Sequence, residues 1–226
     1  MAKRNALILG ASGLVGGALL RILLNDSTYS EVRAVVRRPL EIRHTKLREH
    51  IIDFETLGAH KKIFAVDDVF CCLGTTIKQA GTRENFRRVD FHYPVEAAIT
   101  AHAAGAQSYY IITAMGSNPR SQIFYNRVKG ETEEALSTIP FAALHIFRPS
   151  LLLGERIEKR PGERIAAKIS SALPFLFSGP LKKYMPIDAT VVARAMARAA
   201  QSGTRGVFIY ESSQIQQMGG GHKQRA

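Results

Sequence analysis

The chain has 226 residues, is 46% hydrophobic and carries a formal charge of +12, enough for one sizeable core but with no apolar run of membrane-spanning length. Its start, MAKRN, lacks the apolar stretch and small-residue cleavage site of a secretory leader. The two cysteines, Cys71 and Cys72, are sequence neighbours that would point to opposite faces of a strand, so no disulfide framework is expected and the cytoplasm is the expected setting.

Strand and helix patterns then alternate. NALILG predicts a buried first strand, and GLVGGALLRILLND a helix with apolar positions at Leu14, Leu19, Ile22 and Leu23. EVRAVVRR reads as a second strand stopped by Pro39, EHIIDF as a short third and DDVFCCLG as a fourth. A long helical region runs from TRENF to Gly105, QSYYIITA is a fifth strand, SQIFYNRVKGETEEALSTI a helix, and PFAALHIFRPS a sixth strand ended by Pro149. This alternation predicts an α/β fold: a Rossmann-type doubly wound parallel sheet in the order 3-2-1-4-5-6, helices on both faces. Residues 1–150 form the nucleotide-binding core. Residues 151–215 read as a small carboxy-terminal substrate lobe interleaved with it, including the helix DATVVARAMARAAQ and the strand GVFIY. Residues 216–226 carry no packing pattern and are expected to be a disordered tail of what is otherwise one structural domain.

The first strand–helix turn holds Gly10, Gly13 and Gly16. Glycines there let a phosphate approach the backbone, and the helix start offers free N–H groups and a positive dipole end. The turn from Gly10 through Ser12, Gly13, Leu14, Val15 and Gly16 is therefore the candidate pyrophosphate seat. Strand two ends in Arg37 and Arg38, where an NAD site usually places a carboxylate. Guanidinium suits a 2′-phosphate, which favours NADP(H) over NAD(H). Asp53, at the end of strand three, would lie near the adenine, and Gly74, Thr75 and Thr76 would face the middle of the cofactor. An anionic cofactor also uses positive charge more economically than nucleic acid would. The basic residues are scattered along the chain as far as Arg225, and no zinc-finger spacing or aromatic–basic motif accompanies them.

Tyr125 and Lys129 stand four apart on a predicted helix, hence on one face. A phenol with a pKa near 10 is a poor acid–base group at neutral pH, and a nearby ammonium favours its phenolate. Tyr125 then becomes a candidate general acid or base for a carbonyl or alcohol oxygen. His92, His102 and His145 have no metal-ligand spacing, and no metal site is expected. Phe175 and Phe177, in LPFLF, are candidates for a pocket lining or for core.

The glycine turn together with Tyr125 and Lys129 resembles the short-chain dehydrogenase/reductase superfamily. FRPS after strand six and PIDATVVARAM look like its extended and atypical branches. The run YNRVKGETEEAL…FRPSLLLGERIEKRPGE is similar to the Tat-interacting oxidoreductase-like family. The resemblance implies a Rossmann-type fold binding NADPH, with Tyr125 and Lys129 catalytic, Lys129 also on the nicotinamide ribose, and Arg148 and Pro149 beside the cofactor. Two departures stand out. The serine pair usual at the end of strand five is replaced by Thr113 and Ala114, leaving Thr113 or Ser117 to polarise the substrate. Asp90 stands in a VD pair where many relatives carry VN. The expected function is NADP(H)-dependent hydride transfer to or from a small carbonyl or alcohol substrate. An NADPH-binding regulator acting through a protein partner and an epimerase or dehydratase with retained cofactor are the alternatives, and a homodimer is an open expectation.

Overall fold

The computed structural model describes residues 3–154 and 185–220. The strands are β1 (Arg4–Leu9), β2 (Tyr29–Val36), β3 (Leu47–Ile51), β4 (Asp68–Cys71), β5 (Ser108–Ile112), β6 (Ala143–Arg148), β7 (Leu152–Leu153), β8 (Ile187–Asp188) and β9 (Gly206–Glu211). The helices are α1 (Leu14–Asn25), α2 (Ile77–Ala80), α3 (Arg83–Arg87), α4 (Tyr93–Ala103), α5 (Phe124–Ser137), α6 (Ala189–Gln201) and α7 (Ser212–Gly219). A 3-10 stretch, Phe54–Phe64, follows β3.

The main sheet has seven strands in the order β3-β2-β1-β4-β5-β6-β9, and each neighbouring pair runs parallel. β1 is apolar at every position from Ala6 to Leu9 because both its faces are covered. Ala6 and Ile8 pack with Leu19, Leu20 and Leu23 of α1 and with Val192 and Met196 of α6. Leu7 and Leu9 face Ala97, Ala98 and Ala101 of α4 and Leu136 of α5. β7 and β8 form a separate two-stranded sheet.

The six-strand order expected from sequence is present, extended by β9, so the GVFIY segment joins the main sheet. Helix α7 runs through Gly219, into residues expected to be a disordered tail. Its Ile215 is fully buried, and a Cβ on Gly219 would lie 1.8 Å from the Val191 carbonyl oxygen of α6. This close approach, the burial of Ile215 and the Arg194 Nε donation to the Gly219 carbonyl at 2.6 Å fasten the segment, and composition reveals none of them. The rest of that tail from residue 221, Phe175 and Phe177 lie outside the described residues. The long helical region expected from Thr82 to Gly105 is divided into α3 and α4, joined through a π-helical turn, Arg88–His92, and the short α2 precedes it.

At the amino-terminal edge of the sheet, Asp68 is buried, paired with Arg4 and hydrogen-bonded by the Tyr29 hydroxyl at 2.8 Å. At the opposite, carboxy-terminal edge, β1 lies between β2 and β4, and the chain reverses its winding there. Open α/β sheets form their ligand crevice at that reversal.

Candidate active site

The crevice begins at Gly10, immediately after β1. Its φ of +80° is open to glycine, and a Cβ there would lie 2.6 Å from the Cys72 carbonyl oxygen. A Cβ on Gly16 would lie 2.1 Å from the Gly10 carbonyl oxygen, so these two glycines are fixed by backbone against backbone. Gly13 differs: it is exposed, its N–H donates to the Gly10 carbonyl at 2.9 Å, and it caps α1 without a side-chain hydrogen bond. The first turn of α1 has no acidic residue. Ser12 is exposed beside Gly13, Leu14 is half-buried and Val15 is in the core. The amino end of α1 therefore presents uncapped N–H groups to the crevice, which fits the pyrophosphate of a dinucleotide.

Arg37 and Arg38 follow β2 and are exposed; neither has a carboxylate within ion-pair reach among the described residues. Asp53, after β3, caps the 3-10 stretch, its Oδ1 accepting from the Glu55 N–H at 3.1 Å. Thr76 caps α2 by accepting from the Gln79 N–H at 3.2 Å.

The centre of the site is a buried ion pair. Lys129 Nζ lies 2.7 Å from Asp90 Oδ1, with the two side chains 6% and 0% exposed. The other carboxylate oxygen accepts the Thr75 N–H at 3.0 Å. A Cβ on Gly74 would lie 3.5 Å from Asp90 Oδ1 and 3.7 Å from Lys129 Nζ, so the loop after β4 passes close to the pair. Burial disfavours the Lys129 ammonium, but Asp90 and then Tyr125 outweigh it, and its pKa stands above that of an ordinary lysine. Tyr125 is half-buried one turn earlier on α5, its ring 5.4 Å from that of Phe86. Gly130, beside the lysine, lets α5 approach the loop before it: a Cβ there would lie 2.2 Å from Asn118 C and Pro119 N.

The two hydroxyls expected to polarise a substrate are otherwise engaged. Thr113 is buried and donates to Glu133 Oε1 at 2.6 Å; Ser117 is buried and donates to the Ala114 carbonyl at 2.7 Å. Arg148 is likewise turned away from the role of cofactor contact. Its Nε lies 3.1 Å from Glu133 Oε1 and its Nη1 3.0 Å from Glu211 Oε1. Pro149 is buried, and its carbonyl accepts the Met115 N–H at 2.9 Å. For Thr113 and Arg148 the reason is Glu133, a carboxylate on the inner face of α5 whose burial demands donors. Sequence reading missed it, although it stands four residues after Lys129 on the same helical face. Cys71 and Cys72 are weak nucleophile candidates, because burial pushes both thiols up.

The NAD dependent epimerase/dehydratase family matches residues 6–225. The chain belongs to that family. It is 34% identical over 223 residues to Protein HTATIP2 of Rattus norvegicus, covering 97% of this chain and 90% of that protein. It is 30% identical over 217 residues to Protein FMP52, mitochondrial, of Lodderomyces elongisporus, covering 91% and 90%. In fold it is similar to MoeE5 solved with UDP-glucose and NAD, at a TM-score of 0.70 and 18% identity, covering 95% of this chain and 80% of that one. A UDP-N-acetylglucosamine 4-epimerase from Methanobrevibacter ruminantium M1, in complex with UDP-N-acetylmuramic acid, superposes at 0.69 with 16% identity, covering 93% and 77%. The family member described here thus has a Rossmann-like sheet shared with NAD-binding epimerases. Among the described residues, no helix is long and apolar enough to cross a membrane.

Proposed function

We propose that this family member is an NADP(H)-dependent oxidoreductase acting on a carbonyl or alcohol, with Tyr125 as acid–base group. The observation that carries the reading is the buried Lys129–Asp90 pair beneath Gly74, one helical turn from Tyr125. A buried ion pair is costly to assemble and is better explained by function than by stability. The N–H groups at the start of α1 would hold the pyrophosphate, and Arg37 and Arg38 a 2′-phosphate. A bound nicotinamide supplies or accepts hydride. Tyr125 gives its proton to the substrate oxygen in reduction and takes it back in oxidation. Lys129, kept charged by Asp90, offers its remaining N–H donors to a ribose hydroxyl.

The test is NADPH-linked reduction across a panel of aldehydes and ketones by the parent and Tyr125→Phe. Loss of turnover with cofactor binding retained is expected; equal rates overturn the assignment. Titrating NADPH and NADH against Arg37→Ala and Arg38→Ala should weaken NADPH about 10-fold or more and leave NADH unchanged. A second reading rests on the engagement of Thr113 with Glu133: a hydroxyl proton given to a buried carboxylate is not available to a substrate. That favours a cofactor-binding regulator acting through a protein partner, and it predicts tight NADPH binding with no turnover in the same panel.

A further inference from the structure

We infer that two copies of this chain associate through β9, pairing antiparallel about a two-fold axis at Phe208. β9 closes the order of the main sheet, so among the described residues its outer edge carries unpaired backbone groups. Natural edge strands are blunted by prolines, bulges or inward charges; from Gly206 to Tyr210 this one has neither a charge nor a proline. On one face, Val207 and Ile209 are 57% and 44% exposed, and no described helix covers them.

The sequence RGVFIYE, residues 205–211, is complementary to itself in reverse. With Phe208 opposite its own copy, Val207 lies opposite Ile209, Gly206 opposite Tyr210, and Arg205 opposite Glu211. The backbone phase agrees. The Gly206 N–H points inward, donating to the Ala142 carbonyl at 2.9 Å. Backbone groups alternate sides along a strand, so Phe208 and Tyr210 share that inward phase while Val207 and Ile209 point their N–H and C=O outward. Phe208 is then a non-hydrogen-bonded pair, and each flanking Val207–Ile209 pair exchanges both backbone hydrogen bonds. Side chains alternate too. Val207 and Ile209 of both copies meet on one face as an apolar cluster, closed at each end by Arg205 against Glu211. The Glu211 side chain is 47% exposed although Arg148 already touches it, leaving carboxylate surface for a second cation. On the other face Gly206 leaves room for the Tyr210 ring of the partner.

Sedimentation velocity over a concentration series should show a reversible dimer that Val207→Lys, Ile209→Lys and Arg205→Glu each weaken at least 10-fold. Hydrogen exchange should show the Val207 and Ile209 amides gaining protection as concentration rises, while Phe208 and Tyr210 stay protected throughout. Phe208→Cys should form a disulfide dimer under mild oxidation, since non-hydrogen-bonded antiparallel partners lie within disulfide reach, and Ile209→Cys should not. A monomer at every concentration overturns the inference. So does a dimer indifferent to all three surface variants. Protection of Val207 and Ile209 in a monomer also overturns it, by showing that another part of the same chain covers the edge.

Discussion

Two buried groups titrate in opposing directions, and their separation by mutation tests how burial sets charge in this sheet. His145 on β6 is fully buried, stacked 4.8 Å from the Tyr110 ring and 5.0 Å from that of Phe208, with Nδ1 2.9 Å from the Tyr210 hydroxyl. Burial pushes its pKa down from 6.5 to about 4. The folded state therefore binds a proton less readily than the unfolded chain. Stability from this residue is complete above pH 6.5 and is lost as pH falls toward 4, by about 3 kcal/mol. Asp68 moves the other way: burial, partly offset by Arg4 and the Tyr29 hydrogen bond, raises its pKa from 3.8 to about 6. Here the folded state holds the proton more tightly, so its penalty at neutral pH is relieved as pH falls from about 6 toward 3.8, again by about 3 kcal/mol. The two nearly cancel in the parent protein. His145→Phe, which keeps an aromatic ring in the stack, removes one side of the balance. Urea unfolding at pH 7 and at pH 4 should show His145→Phe improving relative to the parent by about 3 kcal/mol over that interval. Asp68→Asn should worsen relative to the parent by a similar amount. Carboxylates common to all three proteins cancel in these differences. A His145→Phe difference that is the same at both pH values would refute the reasoning, since it would mean that the imidazole titrates normally.

Other perturbations follow from the site. Gly16→Ala would ordinarily strengthen a helix by about 1 kcal/mol, but here the new Cβ meets the Gly10 carbonyl oxygen; a lower melting temperature and weaker retention of dinucleotide are expected by calorimetry and binding titration. Asp90→Asn strips the buried ammonium of its counter-charge and should cost about 3–5 kcal/mol in urea unfolding at pH 7. It should also lower the Lys129 pKa, so that the loss shrinks when both proteins are compared at alkaline pH. Glu133→Gln leaves Arg148 with Glu211 alone as anionic partner among the described residues, and should cost about 1–3 kcal/mol while leaving NADPH affinity unchanged.

The fold was legible from the sequence because its signals are periodic. β1 from Ala6 to Leu9 and β4 from Val69 to Cys71 are apolar runs, Gly10 and Gly16 punctuate the first turn, and the strand–helix alternation leaves few topologies open. That Tyr125 and Lys129 stand one turn apart on one helix was legible for the same reason, a spacing of four. What sequence could not supply was pairing between distant segments. Asp90 registers in sequence only as a departure from a common residue, and the ion pair requires knowing that the turn before α4 lies against α5. Thr113 reads as a free hydroxyl until Glu133, 20 residues away, is seen to accept from it at 2.6 Å. Arg148 reads as a cofactor contact until the same carboxylate claims it. GVFIY shows itself as a strand, but a strand alone does not say which sheet it enters.

The π-helical turn at Arg88–His92 gives the site its particular logic. A π turn widens the helix by one residue, and such turns recur where a side chain must be re-aimed. Here it joins α3 to α4 and leaves Arg88 on the surface beside Glu84 and Glu55 while turning Asp90 inward. Its backbone is held there, the Asp90 carbonyl accepting from Thr132 Oγ1 of α5 at 2.8 Å. α5 thus acts as a ruler. Tyr125 packs on Phe86 of α3, Lys129 meets Asp90 in the turn, and Glu133 engages Thr113 and Arg148 of the sheet, each one turn from the last. An asparagine at position 90 would hold the same turn but contribute no charge. With aspartate, the Lys129 ammonium is already paired, its Nζ 2.7 Å from Asp90 Oδ1, and stays charged in spite of its burial.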